Sequence, residues 1–207
     1  MLASVVTVYI DEFLVVVDKP AGLLAVPGRG ADKADCLASR VQSRFPDALT
    51  VHRLDMATSG LMVFGRGAEM QRALSRLFHD RKVDKRYVAL AAGRIKALTG
   101  EINLPLAADW PRRPLQKVDQ HAGKHALTRY RVLAFDASLD VSRLELEPVT
   151  GRTHQLRLHL ATMGHPILGD ALYGGRPAQR LMLHARMLGF QHPRTGEALA
   201  VSSPPPF

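Results

Sequence analysis

The N-terminal third of the chain is dominated by runs of β-branched and apolar residues that polar residues separate. Residues 5–10 (VVTVYI) and 13–18 (FLVVVD) are two such runs, and Asp11 and Glu12 lie between them. β-branched residues favour extended backbone, so the two runs predict a hairpin or two paired strands. Apolar residues then recur at every fourth position over 34–45, which predicts a short helix.

The middle of the chain predicts further strands and a helix, followed by a long irregular segment. Residues 61–65 (LMVFG) form the short apolar run of a buried strand, and residues 68–80 place apolar side chains at helical spacing with arginines on the opposite face. A basic cluster leads into another predicted strand at 87–90. Residues 94–125 are rich in glycine, proline and cations, and this composition predicts a long irregular excursion.

Strand patterns return towards the C-terminus, at residues 127–135, 141–149 and 181–190. Between them, residues 150–170 place apolar side chains on one helical face and Arg157 on another, so we expect Arg157 to project away from the core. The sequence therefore predicts an α+β fold that is dominated by its sheet.

Length and charge narrow the choice of function. A chain of 207 residues with 46% hydrophobic residues can bury a core as one domain, with two closely packed lobes. Lysine and arginine total 28 against 19 acidic residues, which gives a formal net charge of +9 and a pI near 10.2. This balance favours a polyanionic partner that is bound through its phosphates.

Membrane spans, secretion signals and cysteines in a sequence indicate the compartment of a protein. No apolar run approaches the roughly 20 residues of a membrane span, and the first residues lack the basic start of a secretion signal. Cys36 is the single cysteine, which excludes an intrachain disulfide and any zinc site built on several cysteines. We therefore expect a cytoplasmic protein that makes no use of a membrane.

Asp55 is the first candidate for chemistry, because it follows His52 and Arg53 in the segment VHRLDMATSG. A metal site is a weak alternative. His154 and His159 are five positions apart, about 140° around a helix, which is a poor arrangement for joint ligands. His52 and Asp55 are close in sequence, but no further cluster of carboxylates accompanies them. We expect no metal.

The chain also lacks the motifs of nucleotide-binding sites and of serine nucleophiles. The chain has no GxxxxGK[ST] phosphate loop and no GxSxG nucleophile elbow, so we expect no nucleotide cofactor and no acyl transfer. What remains is Asp55, Tyr87 after a basic cluster and Arg157 on a helix. A guanidinium favours the ionised form of a carboxylate, so this set suits a carboxylate nucleophile.

Several strings together resemble the RluA-type pseudouridine synthases. VHRLDMATSGL, KRYVAL and GRTHQLRLH, followed by GHPILGD, are similar to the core motifs of that family, and the resemblance covers nearly the whole chain. KPAGLLAVPGR and DWPRRPLQKV resemble its dual-specificity members more than its longer ones. The resemblance implies a pseudouridine synthase core, a largely antiparallel mixed sheet flanked by helices and loops with a central RNA-binding cleft.

The resemblance also implies roles for individual residues. Asp55 corresponds to the catalytic aspartate, which attacks either the uracil ring or the ribose carbon. Tyr87 corresponds to the tyrosine that stacks on the target base and assists proton removal from carbon 5. Arg157 corresponds to the residue that pairs with the aspartate. Arg53 would enter the RNA stack, and Leu156 would line the pocket.

The remaining implications concern partners. The enzyme would flip a uridine out of stem-loop RNA without any cofactor. The targets implied are the uridine at position 32 of tRNA and that at position 746 of 23S rRNA. We expect a monomer without an obligate protein partner and without the N-terminal S4 domain of longer relatives. The predicted RNA contacts, besides Arg53 and Leu156, are His52, Arg29, Arg81, Lys82, Arg112, Arg113 and Lys117.

Three functions stay open at this point. The first is an RNA uridine isomerase with Asp55 as nucleophile, acting on the uridines named above or on others. The second is a noncatalytic RNA-binding or ribosome-assembly protein that uses the same basic surface. The third is a metal-dependent phosphodiesterase built on the histidines, which would lose activity in the presence of a chelator.

Overall fold

The computed structural model describes residues 5–28, 30 and 34–207. Over this part of the chain, the helices are α1 (Leu37–Gln42), α2 (Gly67–His79) and α3 (Gln155–Thr162). The strands are β1 (Val6–Ile10), β2 (Leu14–Lys19), β3 (Ala48–Thr50), β4 (Ser59–Arg66), β5 (Asp84–Ala92), β6 (Thr99–Asn103), β7 (Leu106–Ala108), β8 (Gln116–Val118), β9 (Leu127–Asp136), β10 (Val141–Pro148), β11 (Leu183–Gln191) and β12 (Ala198–Ser202).

The backbone divides into two units. Unit 1 comprises Met1–Lys85 and Ala185–Pro206, and unit 2 comprises Arg86–His184 with Phe207. In unit 1 the strand order is β1-β2-β4-β11, with β3 beside β4 and β12 beside β11. In unit 2 the order is β5-β10-β9-β6, and β7 and β8 form a separate two-stranded sheet. The sheet dominates both units, so the predicted α+β class is confirmed.

Unit 1 begins with the predicted hairpin. β1 and β2 pair antiparallel, and β2 in turn pairs antiparallel with β4. β2 and β4 are buried on both faces, which explains why both strands read as continuous apolar runs in the sequence. α2 covers one face and contributes Met70 and Leu74 to a core that it shares with these strands and with β11 and β12.

α1 is shorter than the predicted helix over 34–45. It begins after Cys36, whose thiol accepts a hydrogen bond from the Ser39 backbone N–H, while the Ser39 hydroxyl accepts one from the Cys36 N–H. This reciprocal cap fixes the first turn. The single cysteine is therefore a buried capping residue.

Unit 2 contains the main error of the sequence prediction. Residues 94–125 are not irregular throughout, because they contain the short strands β6, β7 and β8. β6 pairs antiparallel along β9, and β7 pairs with β8. These strands have three to five residues, which is too short for a hydrophobic alternation to become visible. β9, outside this segment, stabilises β6, and β7 and β8 stabilise each other.

Candidate active site

Asp55 lies on the loop that joins β3 to β4 in unit 1, and its side chain is half-buried. Leu54 before it is buried in the unit, which anchors the loop. The Thr58 N–H donates to the Asp55 carbonyl at 3.1 Å and closes a turn. The carbonyl of Met56 accepts from the Gly22 N–H at 2.9 Å. The backbone on both sides of the carboxylate is therefore held in place.

Lys19 also binds this loop. Its side chain is fully buried, and its ammonium donates to the carbonyls of Pro20, Leu23 and Met56 at 2.9, 2.8 and 3.0 Å. A buried ammonium is stable only when acceptors replace its water, and these three carbonyls do so. Lys19 thus ties the end of β2 to the residue next to Asp55. Lys19 begins the segment KPAGLLAVPGR, and nothing in that segment alone predicts this role.

Gly60 explains why the motif ends in a glycine. It lies in β4 with φ +115°, opposite Lys19 of β2. A Cβ at this position would stand 2.3 Å from the carbonyl oxygen of Ala185 in β11. Only glycine lets β4 and β11 approach this closely, directly after the Asp55 loop.

His52 packs within unit 1. Its Nε2 accepts a hydrogen bond from the Val63 N–H at 3.1 Å, and its ring stacks on Phe78 with centroids 4.3 Å apart. Burial, aided by the positive charge of Lys85, lowers the pKa of His52 to about 3. The ring is therefore neutral at pH 7. The structure gives His52 a packing role, and its RNA contact stays a prediction.

The other predicted RNA contacts of unit 1 are cations at its surface. Arg53, Arg81 and Lys82 are exposed. Arg81 has φ 58° and follows the residue that caps the C-terminus of α2. Arg29 lies outside the described residues.

Arg157 is buried in unit 2, which corrects the expectation that it projects away from the core. Its Nε and Nη2 donate to the two carboxylate oxygens of Asp170 at 2.8 and 2.7 Å. The two hydrogen bonds make the pair bidentate. The side chains of Arg157 and Asp170 are 6% and 0% exposed, so water has almost no access to the pair. The guanidinium also lies 5.3 Å from the ring centroid of Tyr173. The pairing of Arg157 with Asp55 stays a prediction.

The start of α3 is fixed by its own polar contacts. His154 precedes the helix in the left-handed region, with φ 54°, and its Nδ1 lies 2.8 Å from the Tyr173 hydroxyl. Gln155 is buried, and its amide oxygen accepts from the Thr150 hydroxyl and the Arg152 N–H. These contacts hold the turn before Arg157. Leu156, the predicted pocket residue, is 6% exposed in this structure.

Tyr87 lies on β5 and is half-buried, opposite Leu146 of β10. Its neighbour Arg86 forms an ion pair with Glu147 on the same pair of strands. Strand pairing on this side of β5 therefore fixes the backbone that carries the tyrosine ring.

The predicted RNA contacts of unit 2 lie in and around the β7–β8 hairpin. Arg112 is exposed and pairs with Asp109, and Arg113 stacks on Trp110. Lys117 lies on β8, is 49% exposed, and pairs with Asp119 at 3.0 Å.

The histidines of the described chain do not gather into a metal site, since no group of three potential His, Cys, Asp or Glu ligands lies together there. His159 is buried, and its Nδ1 and Nε2 lie 2.9 and 3.1 Å from the Thr128 hydroxyl and the Leu104 carbonyl. Burial lowers its pKa, so the ring is a neutral link between α3 and the sheet. Among the described helices, none is long and apolar enough to cross a membrane.

The sequence profile of the RNA pseudouridylate synthase family matches residues 13–162, which include the Asp55 loop, β5 and α3. The chain belongs to this family. As a pseudouridine synthase, it is an isomerase that acts on RNA, and this membership decides among the three functions left open by the sequence.

Individual relatives agree with the family assignment. The chain is 44% identical over 206 residues to the dual-specificity RNA pseudouridine synthase RluA of Escherichia coli K12, covering 98% of this chain and 94% of that protein. It is 46% identical over 204 residues to the protein of that name from Pasteurella multocida, with coverages of 97% and 93%. The resemblance to RluA-type synthases is therefore confirmed.

A solved structure shows the same fold. Human RNA pseudouridylate synthase domain containing 1 superposes on this synthase with a TM-score of 0.82 at 31% identity, over 100% of this chain and 86% of the human one. The predicted pseudouridine synthase fold is thereby confirmed.

Proposed function

We propose that this synthase converts uridine into pseudouridine in stem-loop RNA, with Asp55 as the nucleophile. The observation that carries the proposal is the half-exposed carboxylate on a loop whose backbone the fully buried Lys19 holds. A nucleophile must keep one geometry while its substrate changes shape, and an anchored loop supplies that geometry. Asp55 also lies within the segment that the family profile matches.

The reaction needs few protein groups. The bond between uracil N1 and ribose C1′ breaks, the base rotates, a bond forms between C5 and C1′, and the proton of C5 is lost while N1 gains one. No electrons are exchanged, so the reaction requires no redox cofactor. Asp55 would attack either the uracil ring or C1′, and a covalent intermediate of either kind divides the rearrangement into easier steps.

Tyr87 and Arg157 are proposed to serve the same reaction. The ring of Tyr87 would stack on the flipped uracil and assist the loss of the C5 proton. The guanidinium of Arg157 would keep Asp55 ionised, and the Asp170 carboxylate already holds that guanidinium in one orientation. Leu156 would line the uracil pocket.

The substrate is proposed from charge and from the relatives. A net charge of +9 favours RNA, and extruding a uridine costs a few kcal/mol that contacts to phosphates offset. Arg53 would insert into the RNA stack, with the exposed cations Arg81 and Lys82 on the phosphates. The dual specificity in the relatives' name supports activity on more than one RNA. The targets proposed are those that the family resemblance implies, the uridine at position 32 of tRNA and that at position 746 of 23S rRNA.

The substrate is tested by mapping pseudouridine in cells that lack this protein. Chemical modification and primer extension on tRNA and 23S rRNA should show that the two proposed sites lose pseudouridine. A plasmid with the wild-type chain should restore both sites, and Asp55→Asn should restore neither. If both sites keep their pseudouridine in the deletion strain, the substrate assignment is wrong. Loss at one other defined uridine would identify the true target.

A further inference from the structure

The β7–β8 hairpin of unit 2 carries an exposed tryptophan at its tip. Trp110 is the only tryptophan of the chain, and 67% of its surface is exposed. It begins a single turn of 3₁₀-helix, Trp110–Arg112, between the two strands. Single exposed apolar residues are common on protein surfaces. The surroundings of this one distinguish it.

The turn below the indole is held by a dense set of hydrogen bonds. The Asp109 N–H donates to the Leu115 carbonyl at 2.9 Å, and the Leu115 N–H donates to the Arg112 carbonyl at 3.0 Å. The carboxylate of Asp109, itself buried, accepts from Nε and Nη2 of Arg112 at 2.8 and 2.6 Å. The indole is therefore presented on a preformed turn, so that a ligand meets it with little ordering cost.

A second contact ties the hairpin to the rest of unit 2. The Gln116 N–H at the start of β8 donates to the Tyr173 hydroxyl at 2.9 Å. The same tyrosine contacts His154 before α3, and its ring faces the Arg157 guanidinium. The tip is thus connected through one side chain to the residues around Arg157.

One face of the indole already carries a cation. The guanidinium carbon of Arg113 lies 3.4 Å from the ring centroid, which is a close cation–π stack. Because Trp110 is 67% exposed, the opposite face of the ring meets solvent. Arg112, Lys117 and Lys124 are exposed in the hairpin or beside it, where Lys124 pairs with Leu106 of β7. Asp109 and Asp119 offset part of this charge.

From this geometry we propose that Trp110 is a stacking platform for an unpaired base of the RNA substrate, with Arg113 bound to the phosphate beside it. Aromatic rings accept any base on their faces, and cations nearby attract the backbone. The base is a second one in the loop that contains the target uridine. The inference rests on the proposed function, because it needs RNA as the substrate.

The single tryptophan makes a direct experiment possible. The full chain is titrated with a synthetic tRNA anticodon stem-loop at fixed salt, while tryptophan fluorescence and filter binding are recorded. We expect saturable quenching with the same Kd as filter binding. Trp110→Ala should weaken binding about 10- to 100-fold, and Trp110→Phe, which keeps an aromatic face, should stay near the wild type.

Two controls separate stacking from other effects. Leu139→Ala removes another exposed apolar side chain of unit 2, 63% exposed, and should leave Kd unchanged. The unfolding midpoint of Trp110→Ala should match the wild type, because the indole is largely outside the core. Abasic nucleotides placed singly in the RNA loop should remove the quenching at one position, and there Trp110→Ala should cause no further loss.

The possible failures are distinguishable. If the wild type binds the stem-loop and forms pseudouridine while its fluorescence stays constant and Trp110→Ala binds equally well, the platform is wrong and the proposed function stands. That outcome would leave the exposed indole to a protein partner. If the wild type neither binds nor modifies the stem-loop or 23S rRNA fragments, the proposed function fails as well.

Discussion

Arg157 and Asp170 form a bidentate ion pair in the interior of unit 2, with N–O distances of 2.8 and 2.7 Å. Neither charge has appreciable contact with water. Such a pair contributes little net stability compared with apolar residues, but it fixes the plane of the guanidinium, and breaking one side leaves a buried charge uncompensated. Asp170 therefore determines where the Arg157 guanidinium lies.

The first prediction concerns this pair. Asp170→Asn should lower the free energy of unfolding by about 3–5 kcal/mol, because it removes the carboxylate charge that is paired with the buried Arg157 guanidinium. The matched control is Glu101→Gln, which breaks the ion pair between Glu101 and Arg129. Both of these side chains are more than half exposed. That change should cost less than about 1 kcal/mol. Urea unfolding of both variants measures the difference, and equal effects would contradict the role of Asp170.

A second prediction concerns Lys19. Lys19→Met removes the three hydrogen bonds that the Lys19 ammonium donates to backbone carbonyls, and a hydrogen bond from a charged group contributes about 1.5–3 kcal/mol. Since one of them holds Met56 beside Asp55, kcat should fall more than RNA affinity. The exposed Lys96 provides a control, because Lys96→Met removes a charge without touching the loop. Steady-state kinetics with urea unfolding would measure both effects. An unchanged kcat in Lys19→Met would contradict the anchoring role.

Gly60 allows a third test. Gly60→Ala places a methyl group 2.3 Å from a backbone oxygen of β11, and overpacking of this kind costs about 1–3 kcal/mol beyond the strain of a positive φ. Gly67→Ala has the strain alone, with φ +79° and nothing within 4 Å of the new Cβ. Chemical unfolding should therefore rank Gly60→Ala well below Gly67→Ala in stability. The reverse order would show that β4 and β11 can separate at no cost.

The low pKa of His52 predicts a pH dependence of stability. The folded pKa is about 3 and the ordinary value is 6.5, so the unfolded chain binds more protons between these pH values. Stability from this group is complete above pH 6.5 and is lost as the pH falls towards 3, by at most about 1.4 kcal/mol per pH unit.

The comparison that isolates His52 uses a side chain that does not titrate. His52→Gln offers an amide oxygen to the Val63 N–H, so its unfolding free energy should fall less steeply between pH 6.5 and 4. Urea unfolding followed by circular dichroism gives both curves. His159, whose pKa burial also lowers, contributes equally to both proteins and cancels. Parallel curves would show that His52 titrates normally in the fold.

The sequence predicted the long strands and α2 correctly, because their apolar patterns are local. The same local patterns could not show the partner of Arg157. Helical spacing placed that residue opposite the apolar face, and its burial depends on Asp170, 13 positions later. Lys19 escaped notice for a similar reason. Its three acceptors come from two loops that meet only in the folded chain.

The hairpin that presents Trp110 was missed because β7 and β8 have three residues each. Glycine, proline and cations in residues 94–125 indicated a loop, whereas β7 and β8 pair with each other and β6 pairs with the more distant β9. In contrast, the motif alone predicts Asp55 as the nucleophile, and that role stays a prediction. The structure adds how Lys19 and Gly60 hold its loop.

The proposed role of Asp55 as the nucleophile is tested most directly by the rate at which purified Asp55→Asn forms pseudouridine in an anticodon stem-loop RNA. We expect no detectable product together with an RNA affinity close to that of the wild type. Asp80→Asn, an exposed carboxylate at the end of α2 in the same unit, should keep full activity. Formation of pseudouridine by Asp55→Asn at the wild-type rate would contradict the claim.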